Sequence, residues 1–459
     1  MTDGPLLDVQ GLRVAYATRA GEVPVIPGLS LRLDAGEAFG LVGESGCGKS
    51  TVALSIVRYL GRAGRITGGR ILFEGRDLAT LDAAALRQVR GRRLAMVYQD
   101  PMASLNPVMT VGRQLMEVPM MHEGADTASA RARALAMLRE VKLADPEAVM
   151  DRYPHQLSGG QQQRIVIAMA LITGPALLIM DEPTTGLDVT VEAAVLDLVR
   201  ELRRRHRSAI LFISHNLGSV VRVCDRVGVM YRGELVEEGS VRQIFTNPRH
   251  PYCLPTLGRD KRQAPLVPIA GQVEPTRARP PGCGFAGRCA HVETGRCTTG
   301  PIPASAVRGE PGHRVACVRA DELARWTRRS AAAAAPAAAG TGEPLIAMQR
   351  LTKIYESGRR LRFGAPRASV RAVVDVDLTA ARGRTLAIVG ESGCGKSTLA
   401  KVLGGLEVAT AGGVRLDGVE VGALPVDRRG PELKRKLQMV FQNPDSTLNP
   451  SHTVGYAIG

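Results

Sequence analysis

Aromatic residues make up only 3% of this 459-residue chain, and tryptophan occurs once. A chain so poor in rings lacks the stacking platforms that hold single-stranded nucleic acid. Lysine is scarce as well: eight lysines stand among 60 basic residues, so arginine carries most of the formal charge of +16. Such a surface suits nucleic acid or an anionic membrane face, and equally a solvated exterior with a general basic bias. No apolar run approaches the roughly 18 residues that a membrane-spanning helix needs. The opening MTDGPLLDVQ lacks the basic-then-apolar stretch of a secretory signal, so a cytoplasmic location is expected. Collagen-like, mucin-like and wholly disordered readings fail, because 44% of the residues are apolar and can fill buried cores. The length predicts about two to four domains.

What the chain does contain is a repeat. The segment GESGCGKST at Gly43–Thr51 recurs unchanged at Gly390–Thr398. Downstream, Gln99 is matched by Gln442, LNP at Leu105–Pro107 by Leu448–Pro450, and TVG at Thr110–Gly112 by Thr453–Gly455. Duplication of one domain accounts for this economically. The first copy is expected over residues 5–248. There the apolar run Ala38–Val42 precedes a Gly-rich loop and a helix, and Ala176–Met180 precedes a helix near Thr190–Arg205. Short β-rich runs alternating with helices predict a doubly wound α/β domain. The Ala-, Leu- and Arg-rich stretch Thr127–Val141 reads as a helix within a helical insertion. Residues 249–320 form a Pro-, Gly- and Cys-rich extension, and 321–344 an Ala/Pro-rich linker broken by Pro336. Residues 345–459 hold the opening part of the second copy.

Three motifs carry chemistry. Gly43, Gly46, Gly48, Lys49, Ser50 and Thr51 form a phosphate-binding loop between strand and helix, whose backbone N–H groups converge on one anion. Lys49 is placed to neutralise the terminal phosphates and Ser50 to ligate Mg²⁺. Leu177–Glu182, LLIMDE, reads as a buried strand that ends with Asp181, holding Mg²⁺ through water, and Glu182, a candidate general base. A strand ending in Asp-Glu is common by itself, and gains meaning from the phosphate loop upstream. Ser158, Gly159, Gly160 and Gln161, in LSGGQQQR, open an apolar helix at Ile165–Leu171 and form a second anion site. The plain alternative is a capped helix.

With these motifs in place, the first half resembles the nucleotide-binding domain of an ATP-binding cassette (ABC) transporter. The resemblance implies an α/β P-loop NTPase fold, a RecA-like core with a helical subdomain, repeated in tandem. It assigns catalysis to Glu182, His215 and Gln99, and nucleotide contacts to the loop around Asp188 and to Tyr16, whose ring would stack on adenine. A half-buried core tyrosine and a satisfied core histidine are the plain readings of Tyr16 and His215. Gln99 joins Ser50 and Asp181 at Mg²⁺. In the second copy the corresponding positions are Tyr355, Gly390, Gly393, Gly395, Lys396, Ser397, Thr398 and Gln442, with Ser397 and Gln442 toward Mg²⁺. In the family two cassettes pair head to tail, each ATP lying between one phosphate loop and the other signature. The second copy stops before its own signature, Asp-Glu pair and histidine. Two accounts follow: a piece of a longer tandem ATPase, or a short chain whose first halves pair.

The loops QDPMASLNPVMTVG and QNPDSTLNPSHTVG, and NPRHPYCLPTL at Asn247–Leu257, resemble the oligopeptide/dipeptide importer branch. Cys253 departs from the Thr usual there. Cys283, Cys289, Cys297 and Cys317 follow a Cys-x5-Cys-x7-Cys-x19-Cys spacing, which by itself leaves zinc, iron–sulfur and no metal open. The resemblance favours a structural [4Fe–4S] cluster over Zn²⁺. The expected function is an ATP-hydrolysing subunit bound peripherally at the cytoplasmic face of the membrane. Its partners would be two permease subunits, an extracytoplasmic binding protein and a second ABC domain, with no nucleic acid. Di- or oligopeptides are the expected cargo, with nickel or glutathione as alternatives. The rival functions are a soluble tandem ATPase acting on ribosomes or nucleic acid, and a regulatory ATP sensor.

Overall fold

The computed structural model describes residues 4–19, 21–253, 269, 271, 281–323, 344–356, 369–390, 393–441, 448–449 and 451–458. Gln442 and most of the Ala/Pro-rich stretch lie outside the described residues. The chain divides into two units, Met1–Ala334 and Ala335–Gly459. Among the described residues no helix is long and apolar enough to cross a membrane.

The first unit holds two sheets. Strands β1 (Leu7–Thr18), β2 (Gly21–Leu33), β4 (Gly64–Phe73) and β5 (Arg76–Asp77) form an antiparallel sheet in the order β2-β1-β4-β5. The larger sheet contains β3 (Ala38–Gly43), β6 (Leu94–Val97), β7 (Leu177–Asp181), β8 (Ala209–Ile213), β9 (Arg226–Tyr231), β10 (Glu234–Ser240), β11 (Ser305–Ala306) and β12 (Arg314–Val315). Its order is β11-β12-β10-β9-β3-β8-β7-β6, and the β9-β3-β8-β7-β6 portion is parallel. Parallel strands are covered on both faces, which is why β7 and β8 read as unbroken apolar runs. Side chains alternate between faces. Leu178, Met180, Ile210 and Phe212 join the core on the helical side, whereas Leu177, Ile179, Leu211 and Ile213 join the core shared with the antiparallel sheet. The expected helices are present at Thr127–Glu140, Gly159–Leu171 and Val189–His206.

The cysteine-rich extension packs within this first unit, because β12 pairs with β10 and carries the main sheet outward. A buried ionic knot fixes it. Glu237 accepts hydrogen bonds from the backbone N–H groups of Arg249 (2.7 Å) and His250 (2.8 Å). His313 sets Nε2 against Glu237 Oε1 at 2.8 Å and Nδ1 against Glu310 Oε2 at 2.7 Å. Both ring nitrogens face carboxylate oxygens, an arrangement that favours the doubly protonated, charged imidazole. Burial alone would push it down, but Glu237 and Glu310 outweigh that and raise its pKa above the ordinary 6.5.

The second unit is organised around β13 (Pro344–Glu356), β14 (Ser369–Ala381), β15 (Ala411–Leu416) and β16 (Val419–Glu420), in the order β14-β13-β15-β16. That order is the one found in the antiparallel sheet of the first unit. The helix Lys396–Gly404 packs Leu399 and Val402 into a small core with Met348, Leu351 and Val414. The likeness then stops. By analogy with β3 before Gly43, the segment leading into Gly390 is expected to be a strand. It forms no strand, and Val389 is 87% exposed. The segment that matches β6 is likewise outside any strand, with Val440 97% exposed. The physical reason is partnership. β3 and β6 are held by β7, β8 and β9, and no described residues of the second unit form strands in those places.

The raised pKa of His313 gives stability a sign with pH. Its contribution is full below the unfolded-state pKa and is lost as pH rises through the higher folded value. The melting temperature of the first unit should therefore fall as pH climbs above 6.5 into the mildly alkaline range. His313→Gln should lower the melting temperature at pH 6 and flatten that slope. An unchanged slope in the variant would remove the role given to His313.

Candidate functional site

Parallel pairing brings the C-terminal ends of neighbouring strands to one edge of a sheet, where open α/β folds bind ligands. Here β3 ends in the phosphate loop, β7 in Asp181 and Glu182, and β8 leads into Ser214 and His215. Gln99 follows β6 closely on the same edge. Four segments far apart in sequence thus deliver their polar residues side by side.

The loop geometry follows from its glycines. Gly43 has φ 157°, and a Cβ there would lie 2.3 Å from the carbonyl oxygen of Met230 on the neighbouring strand. Gly48 has φ 102° and precedes the first turn of the helix Lys49–Ile56 without any side-chain cap. The first-turn N–H groups around Ser50 and Thr51 therefore have no capping side chain and face the loop, the arrangement that binds phosphate. Lys49 is buried, and its Nζ donates to the carbonyls of Gly43 (2.9 Å) and Glu44 (3.0 Å), which curls the loop around it.

Asp181 is buried at the end of β7. Burial pushes its carboxyl up; a hydrogen bond from Ser50 counters this, the charge of Glu182 adds to it, and Lys49 opposes it. Its Oδ1 is buried with no protein partner. A buried carboxylate oxygen without a donor, beside a serine hydroxyl, is a donor set that fits a hard divalent cation such as Mg²⁺.

Glu182 follows with φ 48°, a left-handed conformation that non-glycine residues seldom adopt. Its backbone N–H donates to Ile213 O at 2.9 Å, which ties this turn to β8. Three side chains meet on a single oxygen of Glu182. Gln99 Nε2 donates to Oε2 at 3.2 Å, Thr185 Oγ1 donates to it at 3.1 Å, and His215 Nδ1 stands 3.1 Å away. The sequence motifs point to Glu182, Gln99 and His215 acting together. They do not point to Thr185, although it directly precedes the Gly186-Leu187-Asp188 loop.

Other expected residues lie elsewhere. Ser158 caps the helix Gly159–Leu171 reciprocally with Gln161. Gly159 and Gly160 abut Leu187 and Val191, so the signature turn packs beside the Asp188 loop. No hydrogen bond or ion pair among the described residues joins the signature to Lys49. Asp188 caps the helix Val189–His206, accepting from Thr190 N and Val191 N. Tyr16 is half-buried and packs against the core beneath the antiparallel sheet. In the second unit Gly395, at φ 96°, opens the helix carrying Lys396, Ser397 and Thr398, and Lys396 Nζ donates to Gly390 O at 2.6 Å. Gly393 is also in a left-handed conformation. The Lys353 ammonium lies 5.0 Å from the centre of the Tyr355 ring and so occupies one of its faces.

Cys283, Cys289, Cys297 and Cys317 line one small cavity together with His250, Phe285 and His291. Burial raises the thiol pKa values of Cys283 and Cys289, and pushes Cys317 up to about 11. The fold thus brings the four expected cysteines to one place. Among the described residues no three His, Cys, Asp or Glu side chains are grouped so as to hold one ion. The thiols share a cavity without meeting at a single point.

Residues 26–185 and 373–456 match the ABC transporter family, and residues 236–297 match the oligopeptide/dipeptide transporter C-terminal region. The glutathione import ATP-binding protein GsiA of Salmonella typhimurium is 36% identical over 99% of this chain and 66% of its own length. The oligopeptide transport ATP-binding protein OppD of Mycobacterium tuberculosis is 38% identical over 97% of this chain and 74% of its own. The probable peptide ABC transporter ATP-binding protein y4tR of Sinorhizobium fredii is 44% identical over 69% of this chain and 96% of its own. The chain therefore spans 66% of the length of GsiA.

The close approach at Gly43 yields a stability test. Gly43→Ala places a methyl group against backbone in a left-handed conformation, and should cost more than about 2 kcal/mol. Denaturant unfolding of the variant measures this. A loss below about 0.5 kcal/mol would mean that the loop relaxes freely.

Proposed function

Because this chain belongs to the ABC transporter family, among the ATP-binding proteins of its oligopeptide/dipeptide/glutathione importers, we propose that it binds and hydrolyses ATP to energise import of di- or oligopeptides or of glutathione. The observation that carries this reading is the convergence of Gln99, Thr185 and His215 on Glu182 beside Asp181 and the phosphate loop. The loop N–H groups and Lys49 would hold the phosphates, which requires Lys49 to turn from the Gly43 and Glu44 carbonyls. Asp181 and Ser50 would hold Mg²⁺, whose charge would offset that of the phosphates. Glu182 would take a proton from the attacking water, a general-base role that contributes about 10²- to 10⁴-fold in rate. Gln99 and His215, both in contact with Glu182, would orient that carboxylate, Gln99 also facing Mg²⁺ and His215 the terminal phosphate. Ser158 and its glycines would complete a site across a cassette pair. The partners proposed are membrane permeases at the cytoplasmic face and an extracytoplasmic binding protein.

The division into a first cassette, a cysteine-rich extension, a linker and a partial second cassette belongs to the same proposal. The cysteine cavity is its finer part. It is read as the seat of a structural iron–sulfur cluster, with zinc second, and would require the four thiols to ionise and draw together. Support comes from the four cysteines lining one cavity. Anaerobically purified protein should then contain iron and acid-labile sulfide; protein free of iron, sulfide and zinc would remove this part.

Glu182→Gln tests the main reading. ATP hydrolysis should fall at least about 10²-fold while ATP binding persists. Unchanged turnover would overturn the assignment of Glu182. Uptake assays with the cognate permeases, using labelled dipeptide and glutathione, distinguish the two cargo classes.

A further inference from the structure

Glu44 places a carboxylate inside a loop whose other groups are arranged to receive an anion. Each of its polar groups has a partner. The carbonyl accepts from Lys49 Nζ at 3.0 Å, and the backbone N–H donates to the Tyr252 hydroxyl at 3.1 Å. Both carboxylate oxygens accept from Arg288 Nη1, at 3.1 and 3.0 Å. Tyr252 and Arg288 both lie beyond residue 248, in the extension that carries the cysteines.

Arg288 is itself fixed. Its Nη1 also donates to the Tyr231 hydroxyl at 3.3 Å, and its Nη2 to Ile269 O at 3.4 Å. The guanidinium carbon lies 5.9 Å from the centre of the Tyr231 ring. Tyr231 ends β9, the strand beside β3, and packs with Tyr252 and Phe285 at centroid distances of 4.9 and 5.2 Å. The Arg288 side chain is only 10% exposed, so solvent screens this pair less than a surface ion pair. Aromatic packing thus anchors a permanent positive charge beside the one acidic residue of the loop.

We infer that Arg288 is a positioning residue for the phosphate loop: it neutralises and holds Glu44, so that a triphosphate can enter a loop that contains a carboxylate. The inference rests on the nucleotide reading above. Without Arg288, the unpaired carboxylate would repel the phosphates and be free to compete for Lys49. A purely structural brace would also be lost on mutation, but its loss would not be repaired by removing the charge of Glu44. Rescue therefore distinguishes the two roles.

The experiment titrates a fluorescent ATP analogue with Mg²⁺ into the full chain at low and high salt. Arg288→Ala should weaken binding about fivefold or more at low salt, as loss of roughly 1 kcal/mol of ion pairing implies. Arg288→Gln, which keeps much of the size and polarity, should give the same shift and stands in should Arg288→Ala fail to fold. Adding Glu44→Gln to either variant should restore affinity to within about twofold of wild type. Unchanged affinity in both single variants would overturn the inference, as would a double variant no better than its single parent. Failure of the wild type to bind the analogue would overturn the nucleotide reading, and this inference with it.

Discussion

Strand β3 lies between β8 and β9 in parallel register, and each of its neighbours comes from more than 160 residues downstream. This pairing buries β3 on both faces and anchors the first residue of the phosphate loop against Met230. It also aligns the ends of β3, β8 and β7, so that Lys49, Asp181, Glu182 and His215 emerge along one edge. The same nine residues recur at Gly390–Thr398, where described β-neighbours are lacking and the approach to the loop is exposed. An identical loop sequence is thus set in two different supports. Its helix forms in both, because a helix start is local; its strand forms only in the first unit, because a parallel strand needs partners.

Within the first unit the site concentrates cost at Glu182. A non-glycine residue held at positive φ carries about 1–3 kcal/mol of strain, and three side chains crowd one of its oxygens. The neighbouring backbone holds this arrangement, since the Glu182 N–H is bound to β8. The carboxylate is therefore held in place by its own neighbours, which for the general-base role proposed above would reduce the reorganisation required. Asp181 differs in kind. It is buried with one oxygen that has no protein partner, beside the Ser50 hydroxyl, a donor set that fits a divalent cation.

The extension beyond residue 248 bears on the site as well as on the sheet. Through the buried His313–Glu237 pair it is fastened to β10, and through Arg288 and Tyr252 it reaches Glu44. A segment that looks like an appendage in sequence is an integral wall of the first unit. Its loss would remove two strands from the main sheet and leave the Glu44 carboxylate without its counter-charge.

The phosphate loop, the Asp181-Glu182 strand end, the Ser158 turn and the helices that follow are legible in the amino-acid sequence, because each lies within a short contiguous segment. Residue types and periodicity there fix glycine conformations, caps and apolar faces by local physics. Pairings across distance are not legible in that way. Thr185 sits beside a motif yet acts on Glu182 only because the chain turns back, and Gln99 reaches Glu182 across 83 residues. Glu237 and His313 are 76 residues apart, and Glu44 and Arg288 are 244 apart. Four cysteines in one window leave several ligand sets open, and it is the backbone paths between them that bring all four to one cavity. Sequence alone determined which chemical groups the chain carries and which short segments present them. Tertiary structure decided which groups meet, because strand partners and buried counter-charges are chosen by the packing of segments that the sequence keeps far apart.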